Sequence, residues 1–215
     1  MRNTPSGGPT RLVILGASGS TGRLLVDQAL ERGYAVTAVS RSDPFGPGRD
    51  GLTVKRVDVR DRQALRSALT GHDAALSVIG GTPKQHGRIY SEGTAAIVEA
   101  LEAAGVHRFV CTSSGGVNPA DRGLPLWYRL AIPLFLDDLY KDMRVMESTV
   151  RASGLDWTIV RPAYLTDAPA RGEYRVEDGR NPKGGWRIAR ADLAAFLLDQ
   201  VDGEDWHKAL PTIAY

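Results

Sequence analysis

Three glycines spaced three apart, Gly16, Gly19 and Gly22, follow directly on the apolar run Leu12–Leu15, and an amphipathic pattern begins at once after them. A strand that turns straight into a helix needs positive φ or close backbone approach at the junction, and glycine supplies both at least cost. The first turn of such a helix carries unpaired N–H groups and the positive end of the helix dipole, which together seat a pyrophosphate. Ser18, Ser20, Thr21 and Arg23 belong to the same candidate cradle. A strand before, a helix after and a second strand at the right distance are the context that a dinucleotide-binding loop requires. The alternative is a turn of purely structural purpose.

The end of the second strand, "AVSRSDP", speaks to which dinucleotide. An acidic residue there would bind a ribose 2′-hydroxyl; here Ser40, Arg41 and Ser42 occupy the place. Arginine makes charge-assisted, often bidentate bonds to phosphate, so NADP(H) is expected in preference to NAD(H). A solvated surface arginine is the alternative. Asp58 and Val59, in "RVDVRD", are expected to meet the adenine, with a turn carboxylate as the other reading of Asp58. Ile79, Gly80 and Gly81, in "VIGGTP", are small enough to let a dinucleotide lie flat.

Ligands of open parallel sheets collect at the C-terminal strand ends. Strand five ends in Cys111, Thr112, Ser113 and Ser114, and strand six in Arg161, Pro162, Ala163 and Tyr164. Ser113 can donate a hydrogen bond to a substrate carbonyl, or simply close the strand. Cys111 is counted with the strand-end residues expected near the cofactor, and reads as a core residue rather than a nucleophile, since no histidine lies near it in sequence. His72, His86, His107 and His207 lack the spacing of metal ligands, and no metal is expected.

The elements that must position these groups alternate along the chain. Strands are expected at 11–15, 34–40, 52–59, 73–80, 107–114 and 155–162, with helices near 20–32, 61–69, 90–105, 137–153 and 190–201. Gly105 and Gly154 should stop the third and fourth helices. This rhythm predicts an α/β fold: a Rossmann-type, doubly wound parallel sheet in three layers, forming a single domain over 11–215. The last strand-like segment, 208–215, should complete the sheet. Residues 1–10 read as a disordered tail. The 215 residues suffice for one buried core. With 27 basic against 25 acidic side chains and no basic block, the chain is not expected to bind nucleic acid. Its single cysteine excludes an internal disulfide and suggests a reducing, cytoplasmic setting. The apolar stretch 124–136 is too short to span a bilayer and is broken by Arg129 and Pro133. Trp127, Tyr128 and Phe135 there suit a lid over a planar ligand, or a homodimer contact.

The GxxGxxG spacing resembles the short-chain dehydrogenase/reductase superfamily, which normally holds a serine on strand five and a YxxxK pair on the next helix. No tyrosine here has lysine four residues on: Tyr140 precedes Arg144, and Tyr128 precedes Ile132. "SEGTAAIVEAL", "GVHRFVCTS", "SGLDWTIVRP", "GEYRVEDGR" and "RIARADLAAFLL" run in the order found in the biliverdin-IXβ reductase/flavin reductase family and in NmrA-like atypical members. The resemblance extends from about residue 11 to 215 and is most specific in the second half. It implies that Thr112 and Ser113 line a nicotinamide site and that Pro162 places the carboxamide. Tyr164 stands where that family carries a histidine, exchanging a group that titrates near neutrality for a phenol. A wall aromatic is the favoured reading of Tyr164 over a proton donor. Ser114, Trp127 and Tyr128 fall in the implied substrate pocket, formed by about 113–140 and 162–190. Lys141 and Glu147 lie on the helix of the missing lysine, and an ion-paired helix face is expected for both. These readings imply an NADPH-dependent oxidoreductase that transfers hydride to a planar acceptor such as a flavin, a quinone or a linear tetrapyrrole. A non-catalytic NADP(H) sensor explains the missing pair equally well; a nucleotide-sugar epimerase fits less well, lacking that pair and a longer C-terminal region.

Overall fold

The computed structural model describes residues 8–81, 88–118, 120, 121, 123, 124 and 136–215. In the first strand (β1, Arg11–Leu15) Leu12 and Ile14 bury on one face of the sheet, and Val13 and Leu15 on the other. A strand of period two can be apolar throughout only where both faces are covered. Both are covered here.

The chain continues as α1 (Ser20–Glu31), β2 (Ala35–Ser40), β3 (Leu52–Arg56), α2 (Arg62–Leu69), β4 (Ala74–Ser77), α3 (Thr94–Ala104) and β5 (Arg108–Thr112). Then come α4 (Asp137–Ala152), β6 (Asp156–Pro162), β7 (Tyr164–Thr166), β8 (Arg175–Asp178), β9 (Arg187–Ala189), α5 (Arg190–Asp202) and β10 (Pro211–Ala214). The main sheet has the order β3-β2-β1-β4-β5-β6-β10-β8, parallel except for β8 at the edge. Leu25 and Val26 of α1 and Leu193 and Leu197 of α5 pack on the Leu12 face. Leu65 of α2, Ile97 of α3 and Met146 of α4 pack on the Val13 face. The fold is the three-layer Rossmann type, and the strand order reverses between β1 and β4, where such sheets open a crevice.

Element ends differ from the sequence reading for identifiable reasons. β3 stops at Arg56; one more rung joins Val57 N–H to Ser40 O (3.0 Å), then Asp58 turns the chain by accepting the Arg60 N–H (3.0 Å). The third helix is entered through a wide turn over Ile89–Gly93 and ends, as expected, on Gly105 at φ +69°. Gly154 does not stop the fourth helix. Ser153 does, in extended conformation with its hydroxyl donated to Val150 O (2.7 Å). The C-terminal strand does complete the sheet, beside β6. The two-stranded β7–β9 pair escaped the sequence reading because three-residue strands carry no periodicity. Among the described residues no helix is long and apolar enough to cross a membrane.

Between α4 and β6 lies a buried ion pair: Arg161 Nε and Nη2 meet the two oxygens of Glu147 at 2.8 and 2.5 Å. Removing one member leaves the other charge buried and alone. Glu147→Ala is expected to lower the unfolding free energy by about 3–5 kcal/mol, measured by chemical denaturation. A loss below about 1 kcal/mol would mean that water reaches Arg161 freely.

Candidate active site

The glycine loop is closed main chain on main chain. Gly16 sits at φ +81°, its N–H donated to Val39 O (3.0 Å), and a Cβ there would lie 2.8 Å from the Val78 carbonyl and the Ile79 nitrogen. A Cβ on Gly22 would fall on Gly16 O and lie 2.8 Å from Ala17 Cα, so the first turn of α1 rests against the loop itself rather than on the sheet. Gly19 is different. It is exposed, has an ordinary φ of −70°, and meets nothing closer than 3.4 Å. No described residue requires a glycine there; a ligand approaching from outside would.

α1 opens with no side-chain cap and no acid in its first turn. Among the described residues, carboxylates stand at or before the start of the other helices. Asp61 caps α2; Asp142 accepts Tyr90 N–H (3.1 Å), Ser91 N–H (3.3 Å) and the Ser91 hydroxyl at the turn into α3; Asp137 and Asp192 stand in the first turns of α4 and α5. The start of α1 therefore has N–H groups without a side-chain acceptor among the described residues. Ser18, Ser20 and Thr21 surround it, and Arg23 folds back to donate to Ser18 O (3.1 Å), bracing the loop. Beyond β2, the buried Ser40 hydroxyl is spent on Ser42 O, so it is not offered to a ligand; Arg41 is exposed and makes no ion pair with a described residue. Exposed Asp58 holds its turn, and half-buried Val59 packs against the core.

A cavity of about 770 Å³ opens at the C-terminal ends of β4, β5 and β6. Of the residues singled out by sequence, Thr21, Ile79, Gly80, Thr112, Ser113, Ser114, Pro162 and Tyr164 come together on its wall. Gly81 stands behind it, against the Tyr90 hydroxyl (3.3 Å). Cys111 does not line it: the thiol is in the core, and burial pushes its pKa well up, so it is an inert hydrophobe. Lys141 is on the surface, paired with Asp137 (2.7 Å), and Glu147 is committed to Arg161; neither reaches the cavity. Trp127, Tyr128 and Phe135, with the lid or dimer contact expected of 124–136, lie outside the described residues, as does most of the 1–10 tail. Among the described residues no group of His, Cys, Asp and Glu is arranged to hold a metal.

Other lining residues were not singled out by name as site residues in the sequence, among them Tyr90, Tyr140, Trp186 and Asn181, the last three within the expected stretches 113–140 and 162–190. Tyr90, from the turn into α3, is held protonated by burial and the nearby Asp142 carboxylate, offset in part by the Gly81 main chain. Tyr140 places its hydroxyl 3.4 Å from Ser114 Oγ, while Arg144 turns away to Val117 O (3.1 Å) and Asp137 (3.7 Å). Its YxxxR spacing was visible, but not which way the arginine turns. Trp186, just before β9, stacks on Tyr164 of β7 with ring centroids 6.3 Å apart, and the two are 50% and 67% exposed. Asn181, after β8, forms part of the far wall.

A family model described as NAD(P)H-binding matches residues 16–204. The chain is 27% identical over 205 residues to UPF0659 protein YMR090W of Saccharomyces cerevisiae, an alignment covering 90% of this chain and 87% of that one. A short-chain dehydrogenase/reductase of Veillonella parvula, solved in complex with NADP, superposes with a TM-score of 0.82 at 18% identity, over 96% and 94% of the two chains. ChuY, an anaerobillin reductase from Escherichia coli, superposes with a TM-score of 0.76 at 22% identity, over 95% and 97%. At those identities the two structures speak for the fold. The chain spans between 50% and 87% of the length of the curated relatives it matches first.

The glycines separate in a stability measurement. Gly22→Ala gains helix propensity but must displace loop backbone, a net loss of about 1–3 kcal/mol. Gly19→Ala is expected to stay within about 0.5 kcal/mol of the parent. Equal melting temperatures for the two variants would show that the loop yields where it looks closed.

Proposed function

The chain belongs to the NAD(P)H-binding family and has the fold of the atypical short-chain dehydrogenase/reductases, and on that premise we propose that it is an NADPH-dependent oxidoreductase acting on a planar acceptor. One observation carries the reading. The wall that starts at Thr21, in the bare first turn of α1, continues past Gly80 to the Ser113 hydroxyl and ends on the aromatic pair Tyr164 and Trp186. A dinucleotide and a flat acceptor, laid end to end, match that succession of surfaces.

The residues present fit the cofactor. The main-chain N–H groups of Ser20, Thr21 and Gly22 would hold the pyrophosphate, with Gly19 leaving room for its approach. Arg41, with the Ser42 hydroxyl, would hold the 2′-phosphate, and this is the basis for NADP(H) over NAD(H). Thr112, Ser113 and Pro162 would flank the nicotinamide. Bound NADPH supplies hydride to the acceptor, which also takes up a proton, leaving NADP+. The chain contributes binding and orientation. Ser113 donates to the acceptor carbonyl as charge grows on it. Tyr164 and Trp186 provide a stacking surface, and an exposed phenol at position 164 suits that role better than proton transfer. Arg144, four residues after Tyr140, is turned to Val117 O and Asp137; acceptors reduced by hydride and solvent protons need no side-chain base.

NADPH oxidation followed at its absorbance with FMN, biliverdin and menadione should show turnover with at least one. No turnover, together with tight, redox-selective cofactor binding, would instead favour a sensor. Arg41→Asp is expected to weaken NADPH binding about tenfold to a hundredfold while leaving NADH unaffected; unchanged NADPH affinity would remove the case for NADP(H). Ser113→Ala should lower kcat at least about tenfold at constant cofactor Kd. Tyr164→Ala should raise the acceptor KM about threefold to tenfold, and Tyr164→Phe should restore it, because stacking needs the ring and not the hydroxyl.

A further inference from the structure

Among the described residues two buried side-chain atoms lack a hydrogen-bond partner, Ser113 Oγ and Asn181 Oδ1, and both residues line the same cavity. Ser113 is 7% exposed and Asn181 3%. A serine hydroxyl can donate or accept and can rotate to suit. The Asn181 oxygen has no such freedom.

Its amide is locked from the other side. Nδ2 donates to Gly115 O (2.7 Å) and to Asp121 Oδ2 (2.9 Å), and the Asn181 main-chain N–H donates to the same carboxylate oxygen (2.7 Å). The second oxygen of Asp121, itself buried, accepts the Gly123 N–H (2.8 Å). Turning the amide over would press its oxygen against a carbonyl and a carboxylate, so Oδ1 is fixed as an acceptor. The loop carrying Gly115 and Gly123 is shaped around this residue: a Cβ on Gly115 would fall on Asn181 Oδ1, and one on Gly123 on Asn181 O. A buried acceptor left without a donor costs free energy, and native structures keep such atoms where something else pairs them. Ser113 stands at the end of β5, and Asn181 reaches the wall from the β8 edge, on the side of the cavity away from the glycine loop.

Resting on the oxidoreductase reading above, we propose that Asn181 is a specificity-determining residue, whose Oδ1 accepts a hydrogen bond from an N–H or O–H on the edge of the acceptor while Ser113 donates to a carbonyl of the same molecule. The acceptor class is then a planar heterocycle with a lactam or imide edge. A ring bearing only carbonyls and C–H groups leaves Asn181 unpaired, and sites built to bond a polar hydrogen discriminate against analogues that lack it.

The test uses the intact chain with NADP+ bound, tryptophan fluorescence as the binding signal, and NADPH oxidation beside it. The probes are lumiflavin, N3-methyllumiflavin, which keeps the ring and carbonyls but loses the N3–H, and menadione, which has no such donor. Lumiflavin is expected to bind at least about tenfold more tightly than either. Asn181→Ala should abolish the difference between the two flavins at unchanged NADP+ affinity; if that variant does not fold, the ligand pair on the parent chain still decides. Equal binding of the two flavins by the parent, or turnover of menadione without binding of lumiflavin, would overturn the role of Asn181 and leave the reductase reading standing. An equal loss of NADP+ and lumiflavin affinity in Asn181→Ala would assign the amide to the cofactor and likewise overturn it. Absence of NADPH oxidation with all three probes would overturn both.

Discussion

Gly16 can give its N–H to Val39, lie against the main chain of Val78 and Ile79, and receive the first turn of α1 at Gly22 because neither glycine has a side chain and one of them sits at positive φ. That three-way contact of bare backbone joins the ends of β1, β2 and β4 to the start of α1, at the place where the strand order turns back on itself. The geometry around it follows. α1 leaves the sheet with its uncapped end beside the crevice, the chain after β4 runs directly under that end, and Thr21 becomes the first residue of the cavity wall. A helix start displaced by a side chain at either glycine would no longer face the ends of β5 and β6, where Ser113 and Pro162 stand.

The opposite wall is held by polar contacts instead. Asp121 and Asn181 tie the loop after β5 to the loop after β8, and the short β7–β9 pair presents Tyr164 and Trp186 alongside them. Between the proposed cofactor cradle of backbone and the proposed acceptor wall of amide, hydroxyl and aromatic groups, the described residues place no thiol and no metal cluster on the cavity. On the proposed reading, such a site works by positioning, and the chemistry belongs to what it positions. An NAD(P)H-binding oxidoreductase fold is the kind of scaffold on which that division of labour is workable, since fold and reaction are set by different residues.

Much of this was legible in the residues alone. The strand–glycine–helix junction, the succession of six strands along the chain and the ends of β5 and β6 follow from periodicity and turn chemistry, which act over a few residues and leave a local trace. Gly22 packs on the loop, against Gly16 and Ala17, and sequence shows that a glycine is required there but not by which neighbour. Ser40 looked available to a ligand because its bond to Ser42 is a matter of one rotamer. Asn181 and Trp186 fall in the expected 162–190 stretch but could not be singled out within it: each reaches the cavity from 60 or more residues beyond Ser113, through strands too short to show a pattern. Tyr140 is the intermediate case. Its spacing to Arg144 could be counted, but the direction of that arginine is set by Val117 and Asp137, and spacing says nothing of direction.

A crystal structure of the chain with NADP+ bound measures the central claim directly, because it locates both ends of the dinucleotide at once. The expected result has the pyrophosphate on the N–H groups of Ser20, Thr21 and Gly22, the 2′-phosphate against Arg41, and the nicotinamide inside the cavity between Ser113 and Pro162. A nicotinamide lying outside that cavity, with Ser113 untouched and the space before Tyr164 and Trp186 not facing the ring, would contradict it.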